Sequence, residues 1–190
     1  GIVRERFAYA DRYPHADGIG TKGVYHWEKR TFREAVIDAL AMNLNDMALM
    51  RSTPYEAVPH LELPYDDHGA VIEITACLAE ECRKRNIAIP GGETAIKDTV
   101  KGLEIGITMR GFVKRPRSNR FLPGDVLIGL GSTGIHSNGF TKVREVFGDE
   151  FRPEFTVPTA IYSDAILALD EIVQIHGMAH ITGGGFTKLL

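Results

Sequence analysis

Two glycine-rich stretches in the first half of the chain carry side chains suited to chemistry on a phosphate. Residues 17–22 read Asp-Gly-Ile-Gly-Thr-Lys, and residues 90–94 read Pro-Gly-Gly-Glu-Thr. Glycines let the backbone approach an anion closely, a lysine adds a mobile positive charge, and a carboxylate offers Mg²⁺ a hard oxygen ligand. Glu93 also follows an apolar strand, where α/β proteins place ligand sites. In both stretches an ordinary glycine turn with surface charges is the alternative.

A polar run interrupts an apolar segment that is expected to be helical. Asn43, Asn45 and Asp46 lie among leucine, methionine and alanine residues. Aspartate is unfavourable inside a helix because its side chain competes for backbone hydrogen bonds. Asn43 and Asp46 are three residues apart and therefore share a helix face. Either this face meets a cation, or it is a polar stripe in contact with solvent.

The second half of the chain contains a further glycine-rich stretch, residues 129–139. Its first six residues match the GxGxxG fingerprint of dinucleotide-binding proteins, but a turn rather than a helix is expected to follow, and the Lys-Ser/Thr of a P-loop is missing. His136, Ser137 and Asn138 are better candidates, because a histidine can carry a proton near neutral pH beside two hydrogen-bonding side chains. A buried histidine with satisfied hydrogen bonds is the alternative. Residues 180–185 repeat the theme, with three glycines able to form an anion nest.

Composition narrows the class of protein. The 190 residues carry 22 Lys and Arg against 25 Asp and Glu, a formal net charge of −3. We expect no nucleic-acid partner, because there is no excess positive charge to displace phosphate counterions. We also expect no membrane segment and no secretory leader, because no apolar run approaches the roughly 18 residues that span a bilayer. Cys77 and Cys82 have no metal-binding spacing and are typical of reduced thiols in a cytoplasmic protein.

Hydrophobic residues at helical spacing predict four helices that would position these motifs. Thr31 and Glu34 form a capping box at the start of the first helix. Basic residues suit the end of the second helix, which begins near Asp67. The four helices are expected over residues 31–50, 67–86, 140–147 and 159–176.

Strands are expected between the helices, so the fold class is α/β or α+β. Pro59 places one strand near a sheet edge. Residues 11–23 are too glycine-rich for a helix or a strand interior. The basic run 114–120 is the best linker candidate and divides a first domain, 1–116, from a second, 121–190. The predicted strands are residues 1–10, 56–63, 87–89, 103–113 and 125–130, the last of them buried.

Taken in order, these motifs resemble the phosphoribosylformylglycinamidine cyclo-ligase (aminoimidazole ribonucleotide synthetase) family. The resemblance covers almost the whole chain and includes Asn45-Asp46 and residues 124–128 beside the glycine-rich stretches. It implies a two-domain α/β ATP-binding synthetase fold, in which the first-domain sheet completes a barrel across a homodimer. It also implies ATP-dependent closure of the imidazole ring of formylglycinamidine ribonucleotide, with release of ADP and phosphate, in purine biosynthesis.

The resemblance implies a role for each matching residue. Lys22 and His136 would be catalytic, the histidine as a general acid or base. Substrate binding would fall to His136, Ser137 and Asn138. ATP binding would fall to Asp17, Gly18, Gly20, Thr21, Lys22, Asn45, Gly92 and Thr94. Mg²⁺ would be held by Asp17, Asp46 and Glu93.

The chain also departs from the family pattern. The family usually continues Gly-Gly-Glu-Thr-Ala with Glu-Met-Pro, whereas here Ala95 is followed by Ile96-Lys97-Asp98. The family also continues well beyond Gly185, so the second domain is expected to be truncated. Two alternatives therefore stand beside the cyclo-ligase: another ATP-dependent enzyme of the same superfamily, and a non-catalytic remnant that binds nucleotide or only dimerises.

Overall fold

A four-stranded sheet organises the first half of the chain in the computed structural model, which describes residues 11–185 and 187. Its spatial order is β1-β4-β2-β3, and β4 runs antiparallel to both neighbours while β2 and β3 are parallel. The strand predicted over residues 1–10 lies outside the described residues. The strands are β1 (Asp11–Gly18), β2 (Thr53–Leu63), β3 (Glu93–Ile96) and β4 (Glu104–Val113).

Helices cover one face of this sheet. The first three are α1 (Gly23–Lys29), α2 (Phe32–Leu49) and α3 (His68–Lys84). Ile105, Ile107 and Met109 of β4 are buried in one core cluster with residues of α2 and α3, whereas Thr108 and Arg110 alternate with them and are exposed. In the described part of the chain, the sheet therefore has one covered and one open face.

Helix α2 is buried on almost every side. Its buried residues include not only an apolar majority but also Asp38, Asn43 and Asn45. A buried polar side chain is costly unless it finds a hydrogen-bond partner. The polar positions of α2 must therefore bind other segments of the chain, and they do so at the candidate site.

Two local predictions in the first half are wrong. Thr31 does not form the predicted capping box; its hydroxyl lies 2.7 Å from Nδ1 of His26 instead. Pro59 does not mark an edge, because β2 lies between β4 and β3. On one side of β2, the amide of Ala57 donates to the backbone oxygen of Ala88. Pro59 lies on the same side, just before the stretch of β2 that pairs with β3. The N–H that proline lacks is therefore not needed for a sheet hydrogen bond there.

The glycine-rich stretch 11–23 is more regular than its composition predicts. Residues 11–18 form β1, and Gly20–Lys22 form a 3₁₀ turn that leads into α1. A Cβ atom at Gly18 would lie 2.6 Å from the carbonyl oxygen of Ile105, so that β1 packs against β4 as only glycine allows. Gly20 has a φ of +57°, which favours glycine.

The second half has less regular structure than predicted. Residues 114–139 contain no helix or strand, and the predicted buried strand at 125–130 is wrong: Val126 is 84% exposed and Ile128 79% exposed. No strand in the described residues pairs with it. Helix α4 (Phe140–Phe147) agrees with prediction, whereas α5 (Ser163–Ile172) is shorter than predicted.

Smaller departures have local causes. Residues 157–162 stay outside α5 because α2 holds them through their backbone groups. A 3₁₀ turn at Pro153–Thr156 has no counterpart in the prediction. Of the predicted strand 87–89, only Ala88 bridges to Glu56. No helix among the described residues has the length and apolar character needed to cross a bilayer.

Candidate functional site

A cleft of about 640 Å³ opens between the first half of the chain and the second. Residues of β1 and α2 line one side, and segments 116–119 and 178–182 contribute to the other. Three of the predicted site residues line it: Asp17, Asp46 and Asn138. Apolar and basic side chains complete much of the lining: Met42, Leu49, Met50, Met178, His15, Arg51, Arg117 and His180.

Asp46 is shared by two histidines from distant parts of the chain. The Nδ1–H of His180 donates to its Oδ1 at 2.7 Å, and Nε2 of His15 lies 3.4 Å from its Oδ2. Hydrogen bonds from His15 and His180 hold the pKa of Asp46 well below its usual range, against the opposing effect of burial. The carboxylate therefore joins β1 to segment 178–182.

His15 is fixed from both ring nitrogens. Its Nδ1–H donates to Oδ1 of Asn43 at 2.9 Å, while Nε2 faces Asp46. The hydrogen bond to Asp46 raises the pKa of His15, although burial opposes the rise. His15 and Asp17 are two residues apart on β1 and so point to the same face of the strand. The amide of Asn43 also donates to the backbone oxygen of Asp17 at 3.1 Å.

Lys22 does not provide the mobile positive charge predicted from the sequence. Its side chain is fully buried, and its ammonium donates to Asp38 at 2.7 Å and to the backbone oxygen of Val157 at 2.6 Å. Burial lowers the pKa of Lys22, while the charge of Asp38 opposes the fall. In this conformation the ammonium binds groups of the protein itself, and the predicted catalytic and ATP-binding roles of Lys22 stay predictions.

Asp38 is the centre of this buried cluster. Its Oδ2 accepts from Lys22 and from Nε2–H of His26 at 2.8 Å. Its Oδ1 accepts from the backbone amide of Thr159 at 2.7 Å and from the hydroxyl of the same residue at 2.6 Å. Burial alone would raise the pKa of Asp38, but the hydrogen bonds from His26 and Lys22 and the lysine charge lower it to about 2.

Asn45 binds protein backbone where the prediction expected ATP. Its Nδ2 donates to the carbonyl of Ala160 at 2.9 Å, and its Oδ1 accepts from the amide of Tyr162 at 2.8 Å. The side chain thus pairs with an extended segment as a neighbouring strand would. Both amide atoms therefore bind the backbone of the second half, and the nucleotide contact of Asn45 stays a prediction.

Gly92, Glu93 and Thr94 lie apart from the cleft. Among the described strands β1 and β3 lie at opposite edges of the sheet, so Asp17 and Glu93 are separated by three strand spacings, roughly 14 Å. Gly92 is explained by packing, since a Cβ there would lie 2.7 Å from the carbonyl of Pro59. Glu93 accepts from the amide of Thr94 at 2.9 Å. At that separation Asp17 and Glu93 do not bind one cation inside a single chain, and the ATP contacts of Gly92 and Thr94 stay predictions.

The predicted magnesium site is therefore not assembled. Asp17 and Asp46 line the same cleft, but Glu93 is at the far edge, and both oxygens of Asp46 face imidazoles. Across residues 11–185 and 187, no three His, Cys, Asp or Glu side chains are grouped so as to hold a metal ion. A set of three carboxylates around Mg²⁺ does not fit this chain by itself.

The turn that follows β1, which is predicted to bind phosphate, is exposed at the surface. Gly20 and Thr21 are exposed, and the carboxylate of Asp17 accepts from the amide of Gly18 at 2.7 Å. Nη1 of Arg144 on α4 lies 3.4 Å from the backbone oxygen of Thr21. Exposed backbone beside an arginine suits an anionic ligand, whereas the carboxylate of Asp17 by itself would repel one.

The loop that carries His136, Ser137 and Asn138 lies beside the cleft, but its members differ in placement. Asn138 lines the cleft and is exposed. His136 turns toward its own loop, where Nε2 lies 3.1 Å from the hydroxyl of Thr133. Burial lowers the pKa of His136. Ser137 lies with its hydroxyl 3.3 Å from that of Thr159.

Sequence reasoning missed Asp38 and His15. The argument that singled out Asp46, a carboxylate inside an apolar helix, applies equally to Asp38, which lies between Ile37 and Ala39. His15 precedes Asp17 by two residues, the spacing that places two side chains on one strand face. That pattern was hidden because residues 11–23 were not expected to form a strand.

Asp38→Asn tests the buried cluster. We expect a loss of about 3–5 kcal/mol in the free energy of unfolding at neutral pH, because the lysine is left buried without its anion. The pKa of Asp38 is about 2 in the fold and about 3.9 unfolded, so its stabilisation is complete above pH 4 and is lost as the pH falls toward 2. Thermal melts of both proteins from pH 5 to pH 2 measure this.

The difference in stability between the two proteins should shrink across that pH range. Asp66→Asn is the matched control, because Asp66 is exposed and should change stability little. A difference that stays constant from pH 5 to pH 2 would contradict the assignment of a paired, ionised Asp38.

Two family models match the chain. The N-terminal domain of AIR synthase related protein matches residues 14–113, and the C-terminal domain of the same family matches residues 123–190. Among solved structures, the hydrogenase maturation protein HypE in complex with ATP covers 90% of this chain, with a TM-score of 0.60 and 16% identity over 50% of that chain. Thiamine monophosphate kinase from Aquifex aeolicus gives a TM-score of 0.54 at 15% identity, covering 90% of this chain and 63% of that one. These likenesses support the fold alone.

Curated relatives are closer in sequence. Phosphoribosylformylglycinamidine cyclo-ligase from Thermococcus kodakarensis is 37% identical over 188 residues, which cover 91% of this chain and 56% of the relative. The enzyme of that name from Saccharolobus solfataricus is 34% identical over 183 residues, covering 92% of this chain and 56% of the relative. The chain thus spans about half the length of the curated relatives it matches. On the strength of both domain matches, it belongs to the AIR synthase related protein family.

Proposed function

We propose that this chain forms part of a phosphoribosylformylglycinamidine cyclo-ligase and contributes to the binding of ATP and formylglycinamidine ribonucleotide. The observation that carries the proposal is the 34–37% identity, over more than nine tenths of the chain, to relatives that carry this name. The cleft supports it, because residues from both family-matched halves line one cavity. We expect the protein to act in purine biosynthesis in the cytoplasm. Both cysteines are free, as is typical of proteins in that compartment.

The proposed reaction needs positioning more than a protein nucleophile. The γ-phosphoryl group of ATP is transferred to the formyl amide oxygen, and ADP leaves. The amidine nitrogen then attacks the activated carbon, which closes the ring, and phosphate departs with the former amide oxygen. The nitrogen loses one proton in the process. Such transfers depend on orientation of the reacting groups and on neutralisation of phosphate charge.

The exposed turn after β1 is proposed to meet the phosphates of ATP. Gly20 and Thr21 lie in it, Asp17 and Gly18 end the strand before it, and its exposed backbone is proposed to offer N–H groups to an anion. Lys22, the last residue of this turn, keeps its buried ion pair with Asp38 and so fixes the turn to α2. Among the described residues, Asp17, Asp46 and Glu93 do not converge on one site, so they are not proposed to hold Mg²⁺ together.

The loop at residues 136–138 is proposed to face the ribonucleotide. Asn138 lines the cleft and can donate to or accept from the substrate. His136 is proposed to take the proton from the attacking nitrogen once its imidazole rotates from its own loop toward the substrate. Its lowered pKa keeps the imidazole neutral at pH 7, as a general base must be.

The open face of the sheet is proposed to pack against a second copy of the chain and so to form a homodimer. The face that bears Thr108 and Arg110 carries no covering helix in the described residues. A second copy would cover it and complete a barrel, and would also protect the strand edges from unspecific pairing.

The two family-matched halves are proposed to be separate domains, 1–116 and 121–190, joined by the exposed basic segment.

The ring closure is tested by incubating the protein with formylglycinamidine ribonucleotide, ATP and Mg²⁺. We expect equal amounts of aminoimidazole ribonucleotide, ADP and phosphate. His136→Asn should lower kcat/KM by about 10²-fold or more, as losing a general base does. His68→Asn, which changes an exposed histidine at the start of α3, is the matched control and should leave it unchanged.

The pH dependence gives a second readout in the same assay. Because the pKa of His136 is lowered from its ordinary value of 6.5, the acid limb of kcat/KM should have its midpoint below pH 6.5. Phosphoryl transfer to thiamine monophosphate, or nucleotide binding without turnover of either substrate, would contradict the cyclo-ligase proposal.

The dimer is tested by sedimentation velocity at micromolar concentration. We expect the chain to sediment as a dimer and Thr108→Glu as a monomer, because the substitution places a charge at the centre of the open face. Thr75→Glu adds the same charge to an exposed position of α3 and should remain dimeric. A chain that is monomeric without substitution would overturn the proposal.

A further inference from the structure

Three contacts attach the loop at residues 131–139 to the extended segment at residues 157–162. The hydroxyl of Ser137 lies 3.3 Å from that of Thr159. The hydroxyl of Thr133 donates to the backbone oxygen of Pro158 at 3.2 Å. The hydroxyl of Tyr162 donates to the backbone oxygen of Gly131 at 2.6 Å. The loop is otherwise exposed, so its placement depends on that segment.

The extended segment is in turn fixed by α2. Asp38 accepts from both the amide and the hydroxyl of Thr159, and Asn45 pairs with the backbone on either side of Ile161. Both α2 residues are buried. They are seven positions apart, two helical turns, so they lie on one face of the helix. Together with Lys22, which donates to the backbone oxygen of Val157, this face of α2 fixes the extended segment to the first half of the chain.

The direction of the hydroxyl bonds follows from the charge of Asp38. A carboxylate can only accept, so the proton of the Thr159 hydroxyl points to Oδ1 at 2.6 Å. The oxygen of Thr159 is then free to accept, and the hydroxyl of Ser137 is the donor in the contact between them. The hydroxyl of Ser137 therefore donates to the hydroxyl of Thr159, which in turn donates to the carboxylate of Asp38.

We propose that Asp38 is a positioning residue for the substrate loop, acting through Thr159 on Ser137 and so setting where His136 and Asn138 lie. This rests on the proposed function, in which that loop faces the ribonucleotide. Asp38 is fully buried and does not line the cleft, so it has no contact of its own with a ligand there. Ser137 uses its hydroxyl to hold the loop, which leaves Asn138 as the side chain that contacts substrate.

Thr159→Val tests the link with the least disturbance of the fold. It removes only the hydroxyl, while the amide of residue 159 and the side chains of Lys22 and His26 still satisfy Asp38. Thr159→Ser restores the hydroxyl. Thr156→Val is the matched control, because the hydroxyl of Thr156 donates to Pro153 within its own turn and does not reach the loop.

Two readouts are measured on each variant. Amide hydrogen exchange over residues 131–139 should speed up about tenfold in Thr159→Val, the size expected from one lost hydrogen bond. Exchange in β4 and in α2 should not change. KM for the ribonucleotide should rise about tenfold, with KM for ATP unchanged. Thr159→Ser should return both values to those of the unsubstituted protein, and Thr156→Val should not alter them.

The two proposals fail in different ways. If the protein turns over no ribonucleotide, the proposed function is wrong, and hydrogen exchange alone decides the positioning role. If exchange over residues 131–139 is the same in Thr159→Val and Thr156→Val, the positioning role is wrong whatever the activity. A loss of thermal stability in Thr159→Val with unchanged exchange and unchanged KM would make Thr159 a purely structural residue and would also overturn the proposal.

Discussion

Asp38 has no access to water, and a carboxylate in that position is tolerated only where donors satisfy its oxygens. Four donors do so, and they come from three places: Lys22 after β1, His26 on α1, and the amide and hydroxyl of Thr159 in the second half. The two contacts with Thr159 join the second half to the first, and the energetic penalty of breaking them holds that part of the second half against α2.

The other polar residues of α2 extend the same principle along the helix. Asn45 holds the backbone beyond Thr159, Asn43 holds β1, and Asp46 joins His15 to His180 across the cleft. An apolar interface would bury the same helix but would not fix the register of an extended segment against it. Directional hydrogen bonds from α2 thus hold the two halves together. The residues that line the cleft lie beside these buried polar side chains of α2.

Hydrophobic periodicity predicted α2, α3 and α4 well, since each buries a face whose spacing is visible locally. It could not predict the fate of residues 125–130, because a run of apolar residues becomes a buried strand only where another strand pairs with it. The polar site was half predicted. Sequence singled out Asp46 and Asn45 as polar residues inside an apolar helix. Their partners in the second half lie 115–134 positions away, a distance that no local pattern can predict. Lys22 looked like a mobile cation because its partner Asp38 was not noticed.

Lys22 and Asp38 stabilise the fold as a pair, and each of the two buried charges destabilises it when its partner is removed. A double-mutant cycle with Lys22→Met and Asp38→Asn, measured by urea unfolding at pH 7, tests it most directly. We predict that the double variant is more stable than Asp38→Asn alone, with a coupling free energy of about 1–3 kcal/mol, because neither charge is left buried without its partner. Losses that add to within about 0.5 kcal/mol would contradict the claim, since they would mean that the two side chains act independently.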